Sequence, residues 1–172
     1  KILIIKNLIK KSKKYRIDIL NHIYESKKGH LGGSLSIIDF LTVLYLNNYV
    51  DHKKNNFVNV FSDNTCLLSK GHNAISQYVI LNDINYISDK QIKNFNKNGT
   101  KIAEHPDYRI PGININSGSL GHILSQSMGI CYQRYLSKNK KKIYVIIGDG
   151  ELSEGSNWEA FYGSSNLNIS TG

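Results

Sequence analysis

Between Ile2 and Glu25, the apolar residues Ile5, Leu8, Ile9, Tyr15, Ile19, Leu20 and Ile23 recur mostly three, four or one apart. That interval follows one face of a helix, so the stretch predicts a helix, with a break expected near the lysine-rich Lys11–Lys14. Lys27–Gly33, KKGHLGG, cannot continue it. Its adjacent glycines mark a loop where backbone approaches something closely. Phe40, Leu41, Val43, Leu44 and Leu46 then predict a helix apolar nearly all round and therefore well buried. Ser34 or Ser36 would cap it, with Asp39 helping in its first turn. Tyr49–Asn64 is polar and irregular.

Thr65–Leu68 reads as a short strand, followed by Ser69-Lys70-Gly71-His72 and a helix over Asn73–Leu81. Ser88-Asp89-Lys90-Gln91 is a capping box opening a short helix to about Asn96. Asn98–Ser119 is a long loop holding both prolines, and a loop of that length is either functional or mobile. Ser117-Gly118-Ser119-Leu120-Gly121 leads into a helix over Ile123–Leu136, with Leu124, Met128, Cys131, Tyr132 and Tyr135 expected inward. Ile143–Ile147 is a β-branched run that predicts a strand buried on both faces. It ends in Gly148-Asp149-Gly150, and Glu151–Glu154 leads into a helix carrying Trp158 and Phe161. Strand, glycine turn and helix recur in alternation. The expected fold is α/β, a parallel sheet flanked by helices, with ligands at the carboxyl ends of the strands. Residues 1–172 read as one domain without an internal boundary or repeat.

Composition changes this picture little. The net charge of +9 comes almost wholly from lysine, in a chain rich in Lys, Asn and Ile throughout. That bias fits an AT-rich coding sequence better than a nucleic-acid surface, because the clusters Lys10–Lys14 and Lys138–Lys142 lack interleaved stacking aromatics. No apolar run reaches the ~18 residues a membrane span needs. Lys1–Ile9 lacks a small-residue cleavage site and does not read as a signal peptide. Cys66 and Cys131 have no metal-type spacing and read as small buried hydrophobes in a reducing, cytoplasmic setting.

The candidate chemistry sits at the glycine turns. Gly148 and Gly150 would let a phosphate approach the backbone, and Asp149 is a hard oxygen ligand suited to Mg²⁺ or Ca²⁺. The alternative is a tight turn with no ligand. His72 begins a helix, where the dipole favours an anion. His30 is either a local helix-terminus partner or a catalytic base. His105, held extended by Pro106, either braces its loop or presents an imidazole to a site.

Gly29-His30-Leu31-Gly32-Gly33-Ser34, Leu68-Ser69-Lys70-Gly71-His72, Glu104-His105-Pro106-Asp107, Gly118-Ser119-Leu120-Gly121 and Gly148-Asp149-Gly150-Glu151, followed by Trp158-Glu159-Ala160, together resemble the N-terminal region of transketolases. The match runs from about Arg16 to Phe161 and is most similar to split-type N-terminal subunits. Deoxyxylulose-phosphate synthases share the Gly-His-Leu-Gly loop, but the other segments fit transketolase better. The resemblance implies the diphosphate-binding module of a thiamine diphosphate enzyme. Asp149 would ligate the divalent ion, and Gly150 belongs to the same cofactor motif. Gly118 and Leu120 would line the cofactor through backbone contacts, and His72 would lie at the diphosphate. His30 and His105 would face the sugar and help move protons. Glu154 would sit at a subunit interface. In such enzymes the cofactor's thiazolium ylid attacks a ketose phosphate, and a two-carbon unit passes to an aldose phosphate.

Three departures accompany the match. The cofactor motif normally closes with an Asn ligand one helix and one strand later, and Asn166-Leu167-Asn168 comes too early, so the domain reads as incomplete at its C-terminal end. Ile123 stands where the family has glycine, so its side chain is expected to intrude near the cofactor. Lys28 replaces a small residue. The pyrimidine-binding domain, which supplies the activating glutamate, would come from a C-terminal partner subunit. The alternative is a truncated, inactive relic that binds a cofactor or a partner at most.

Overall fold

The computed structural model describes residues 2–52 and 58–167. Its elements are α1 (Ile2–Ser26), α2 (Leu31–Leu46), β1 (Thr65–Leu68), a 3-10 turn over Gly71–Asn73, α3 (Ala74–Asp83) and α4 (Asp89–Ile92). They continue with α5 (Ile123–Leu136), β2 (Ile143–Ile146), a 3-10 turn over Gly150–Ser153 and α6 (Gly155–Asn166). β1 and β2 pair in parallel, with Thr65 opposite Ile143 and Leu68 opposite Ile146. Side chains alternate across a strand, and here the alternation divides the apolar residues into two cores. Cys66, Leu68, Tyr144 and Ile146 face the larger one, built with α1, α2 and α3. Leu67, Ile143 and Val145 face Ile123 and Ile130 of α5.

Ala74–Leu81 of α3 is buried on every side. Its Tyr78 is fully buried, and so is Tyr15 of α1. Burying an aromatic or large aliphatic side chain stabilises by roughly 1.5–3 kcal/mol. The long loop packs too. Ile102, Ile110 and Ile113 plug the main core, and Asn114 donates to the Val58 carbonyl at 2.6 Å.

Polar clusters fix how the helices meet. Asp83 of α3 accepts from Lys11, Lys14 and Tyr15 of α1 at 2.6, 3.0 and 2.8 Å. Burial opposes ionisation of Asp83, but these donors hold its carboxyl below its ordinary value. Asp39 of α2 receives both Arg16 guanidinium nitrogens at 2.8 and 2.7 Å, and also the Ser12 hydroxyl. The Arg16 bonds, then Ser12, hold the Asp39 carboxyl at about 2. Arg134 of α5 is 3% exposed. It donates to the carbonyls of Val60, Asp63 and Lys141, so one buried cation ties the loop before β1 to the turn before β2.

Several expectations are corrected. α1 runs unbroken through Lys11–Lys14, because those lysines meet Asp83 or solvent on the helix surface. Ile5, Ile9 and Leu20 are exposed, since Ser12, Tyr15 and Ile19 are the buried residues of α1 and Ile23 packs partly buried against the core. α2 begins at Leu31, ahead of the expected caps. Ser34 and Ser36 instead donate back to the carbonyls of His30 and Gly33, and Asp39 serves Arg16. Phe40 and Val43 lie on an exposed face of this apolar helix. The capping box at Ser88 is present, but α4 ends at Ile92. α5 buries Ile123, Ser127, Ile130 and Arg134, leaving Tyr132 and Tyr135 exposed and Cys131 half-buried. Its apolar pattern misleads because the Arg is buried and the tyrosines are not. β2 is only partly covered at Ile143, Tyr144 and Val145. No described helix is long and apolar enough to cross a membrane.

Arg134→Met should destabilise the fold by about 2–4 kcal/mol, because the buried guanidinium is lost and three carbonyls, that of Asp63 buried, lose their donor. Urea unfolding measures it. Asp39→Asn gives a pH signature. The folded carboxyl titrates at about 2 against an ordinary 3.8, so its stabilisation is present above about pH 4 and is lost as the pH falls towards about 2. Wild-type and Asp39→Asn unfolding curves should therefore differ near neutrality and converge in acid.

Candidate active site

Both strands deliver a glycine turn to the same edge of the sheet. After β1, the Ser69 N–H donates to the Ile146 carbonyl at 2.9 Å, which aligns the Ser69–His72 turn beside the end of β2. Gly71 lies against the glycine loop, where a Cβ would meet Ser117 Oγ at 2.7 Å and Gly118 N at 2.8 Å. Gly118 has φ +148° and supports the His105 ring, whose Cδ2 would lie 2.8 Å from any Cβ placed there. Only glycine allows these three segments to nest. The His105 carbonyl accepts from Tyr78 at 3.0 Å, which anchors that end of the long loop on α3.

His30, at the start of α2, meets Glu104 through Nδ1 at 2.6 Å. Its ring lies edge-on to His72, with centroids 4.9 Å apart. Burial, then the neighbouring His30, Lys70 and His105, pushes the His72 imidazole below its ordinary pKa against the pull of Glu104. His72 is thus biased towards a neutral imidazole with one N–H to donate. Lys70 is 7% exposed. Its Nζ has the Ser36 hydroxyl at 3.5 Å, and among the described residues no carboxylate pairs with it. A buried ammonium without a counter-ion is costly, and a bound anion would offset that cost.

Across from it, the Asp149 carboxylate is exposed and has no hydrogen-bond partner among the described residues. The turn around it is open. A Cβ on Gly150 would meet nothing within 4 Å, and one on Gly148 would make only ordinary contact at 3.7 Å. Glu154, at the N-cap of α6, packs its Cβ and Cγ on Gly121, which has φ +80°. Leu120 is half-buried beside it. Ser117 Oγ, Asn73 Oδ1 and Asn157 Oδ1 are buried and have no hydrogen-bond partner among the described residues.

This donor set fits a diphosphate. Lys70, His72 and an open glycine turn offer charge, an N–H and close backbone approach. A divalent ion would need the phosphate oxygens as well. Among the described residues no group of three or more His, Cys, Asp or Glu side chains could hold one, and Asp149 is a single ligand. Asn166 ends α6 and Leu167 follows it, while Asn168 lies outside the described residues.

The structure brings His30, His72, His105 and Gly118 into one cluster, and Asp149, Gly150, Glu154 and Leu120 into the adjoining half. Ile123 does not intrude. It is 1% exposed and fills the core beside Leu67 and Ile130. Sequence reasoning assigns no role to Lys70, Glu104 or Glu151. Lys70 and Glu104 are visible inside their motifs, but nothing in the spacing says that a lysine is buried or that an acid faces inward.

The family model "Transketolase, thiamine diphosphate binding domain" matches residues 6–170. An apulose-4-phosphate transketolase subunit from Actinobacillus succinogenes is 38% identical over 77% of this chain and 48% of its own length. The protein of the same name from Phocaeicola vulgatus is 35% identical over 87% of this chain and 52% of its own. The chain therefore spans about half the length of these curated relatives. The transketolase of Campylobacter jejuni superposes with a TM-score of 0.85 at 26% identity, covering 94% of this chain and 26% of that one. With five motifs gathered at one sheet edge, the α/β fold and the family match agree: the chain belongs to the transketolase thiamine diphosphate-binding domain family.

Proposed function

We propose that the chain is the diphosphate-binding part of a thiamine diphosphate-dependent transketolase, and that it transfers a two-carbon ketol unit from a ketose phosphate to an aldose phosphate together with a C-terminal subunit. The observation that carries this reading is the buried, carboxylate-free Lys70 beside His72, facing the open Gly148-Asp149-Gly150 turn. Lys70 and His72 would hold the diphosphate, with Gly118 and Leu120 lining the cofactor. Asp149 would hold Mg²⁺ or Ca²⁺, and Gly150 would let the diphosphate approach the backbone. When bound, the cofactor would supply the nucleophile that cleaves the ketose next to its carbonyl.

The protein's own part is placement and protons. His30 and His105 are exposed at the mouth of the cluster, where an imidazole, which can both donate and accept a proton, suits proton transfer to sugar oxygens. Glu104 orients His30 through Nδ1, which leaves Nε2 for the substrate. The relatives' names differ in their sugar, apulose-4-phosphate in two and 6-deoxy-6-sulfo-D-fructose in another, so the name of a relative does not choose the donor for this chain. Those relatives are named as subunits, which supports a partner carrying the pyrimidine-binding domain. So does the apolar face that α5 and α6 present to solvent, with Tyr132, Tyr135, Trp158 and Phe161. Glu154 opens α6 beside that face and would meet the partner there. A cytoplasmic homo- or hetero-oligomer working in pentose phosphate metabolism is consistent with this reading, with residues 1–172 acting as a single domain.

Calorimetry with thiamine diphosphate should show binding that requires magnesium. Magnesium-independent or absent binding would favour the relic reading. Asp149→Asn should weaken that binding by roughly 10–100-fold, the usual cost of a damaged metal shell, with an unchanged unfolding midpoint because the carboxylate has no partner. The 172-residue chain alone should show no transketolase turnover. Mixing it with a partner that carries the pyrimidine domain should produce turnover, which His105→Ala lowers by about 100-fold or more. Turnover by the pure chain would refute the need for a partner.

A further inference from the structure

Glu151 is 2% exposed, and the proposed reaction gives it no task. Its Oε1 accepts from the Ser69 hydroxyl and from the Gly121 N–H at 2.9 Å. Its Oε2 accepts from the Gly148 N–H at 3.1 Å. Its backbone carbonyl accepts from Asn157 Nδ2 at 2.6 Å, which fixes the residue against α6. These donors belong to three separate loops: the turn after β1, the glycine loop before α5 and the turn after β2. The same loops carry Lys70 and His72, Gly118 and Leu120, and Asp149.

Every one of these partners is a neutral donor, and two are backbone amides. A buried carboxylate next to an anion site is electrostatically unfavourable. What it provides is geometry. The Glu151 side chain offers two acceptor oxygens on one carbon, so it can satisfy donors converging from three directions. Any change in the spacing of the loops would break one of these bonds in a dry environment.

We infer that Glu151 is a positioning residue that fixes the spacing of the three loops of the diphosphate cradle, and thereby sets affinity for the diphosphate without touching it. The inference rests on reading the site as a diphosphate cradle.

Glu151→Gln is the direct test. An amide has one acceptor oxygen, so either orientation turns its NH2 against the N–H of Gly148 or of Gly121. Ser69→Ala is the milder variant, removing one donor and leaving both backbone bonds. Ile19→Val, in the core between α1 and its neighbours, is the control for lost stability alone. Affinity for thiamine diphosphate with magnesium is measured by calorimetry well below each unfolding midpoint. Glu151→Gln should bind about tenfold or more weakly and Ser69→Ala a few-fold more weakly, while Ile19→Val binds as wild type. Amide hydrogen exchange without ligand is the second readout. It should accelerate at Gly121 and Gly148 in Glu151→Gln, with α1 and α3 unchanged. Wild-type affinity in Glu151→Gln overturns the inference, as does an equal loss in Ile19→Val. If Glu151→Gln does not fold, wild-type affinity in Ser69→Ala overturns it. Failure of the wild type to bind would overturn the cradle reading and this inference together, a result distinct from the others.

Discussion

Parallel strands end on the same edge of a sheet. With β1 and β2 in register from Thr65–Ile143 to Leu68–Ile146, the turns that follow them leave side by side. That constraint places Ser69–His72 next to Gly148–Gly150, although some seventy-five residues separate the two turns. The remaining parts of the site attach to this edge. Gly71 admits the loop at Ser117-Gly118, Gly118 admits His105, and His72 meets His30 at the start of α2. Glycine is required where one backbone touches another. Charge is placed where the backbones leave a gap.

Two buried cations show the difference between structure and site. Arg134 is satisfied by carbonyls of Val60, Asp63 and Lys141, and its planar fork suits several fixed acceptors. Four of its five N–H groups are taken by these carbonyls. Lys70 is almost as well buried but has one hydroxyl at the edge of hydrogen-bond range. A compact ammonium on a flexible stem can turn to an incoming anion at little cost. The clusters around Asp39 and Asp83 belong to the first kind, since they fix how α1 meets α2 and α3.

Much of the fold is legible because its signals are local. The strand over Thr65–Leu68, the capping box at Ser88 and the helix over Ile123–Leu136 follow from patterning and turn chemistry. The start of α2 is not legible, because Gly32 and Gly33 look like a loop. Both lie inside the helix, and at Gly33 only glycine fits, because Asn73 Nδ2 lies 2.6 Å from where a Cβ would stand. The inward face of α5 is hidden for a similar reason. Burial of Arg134 depends on carbonyls distant in sequence, and periodicity carries no information about them. At the site, the motif order identifies which residues meet, but not that Glu151 points inward.

The chain's chemistry is one-sided in a way that bears on the proposed partner subunit. Its cluster supplies anion-binding groups and imidazoles, and Glu104 is already engaged by His30. Glu151 has its oxygens taken by three donors. The carboxylates left free at this edge are Asp149 and Glu154, both exposed and both on the β2–α6 side. Proton exchange between an acid and a bound ligand is favoured where water is excluded, and in this chain alone both carboxylates are exposed. The same side carries the exposed aromatics of α5 and α6. A second protein surface covering those aromatics would exclude water from Glu154 as it docked. In the proposed assembly, one contact would cover the exposed aromatics and exclude water from Glu154 together.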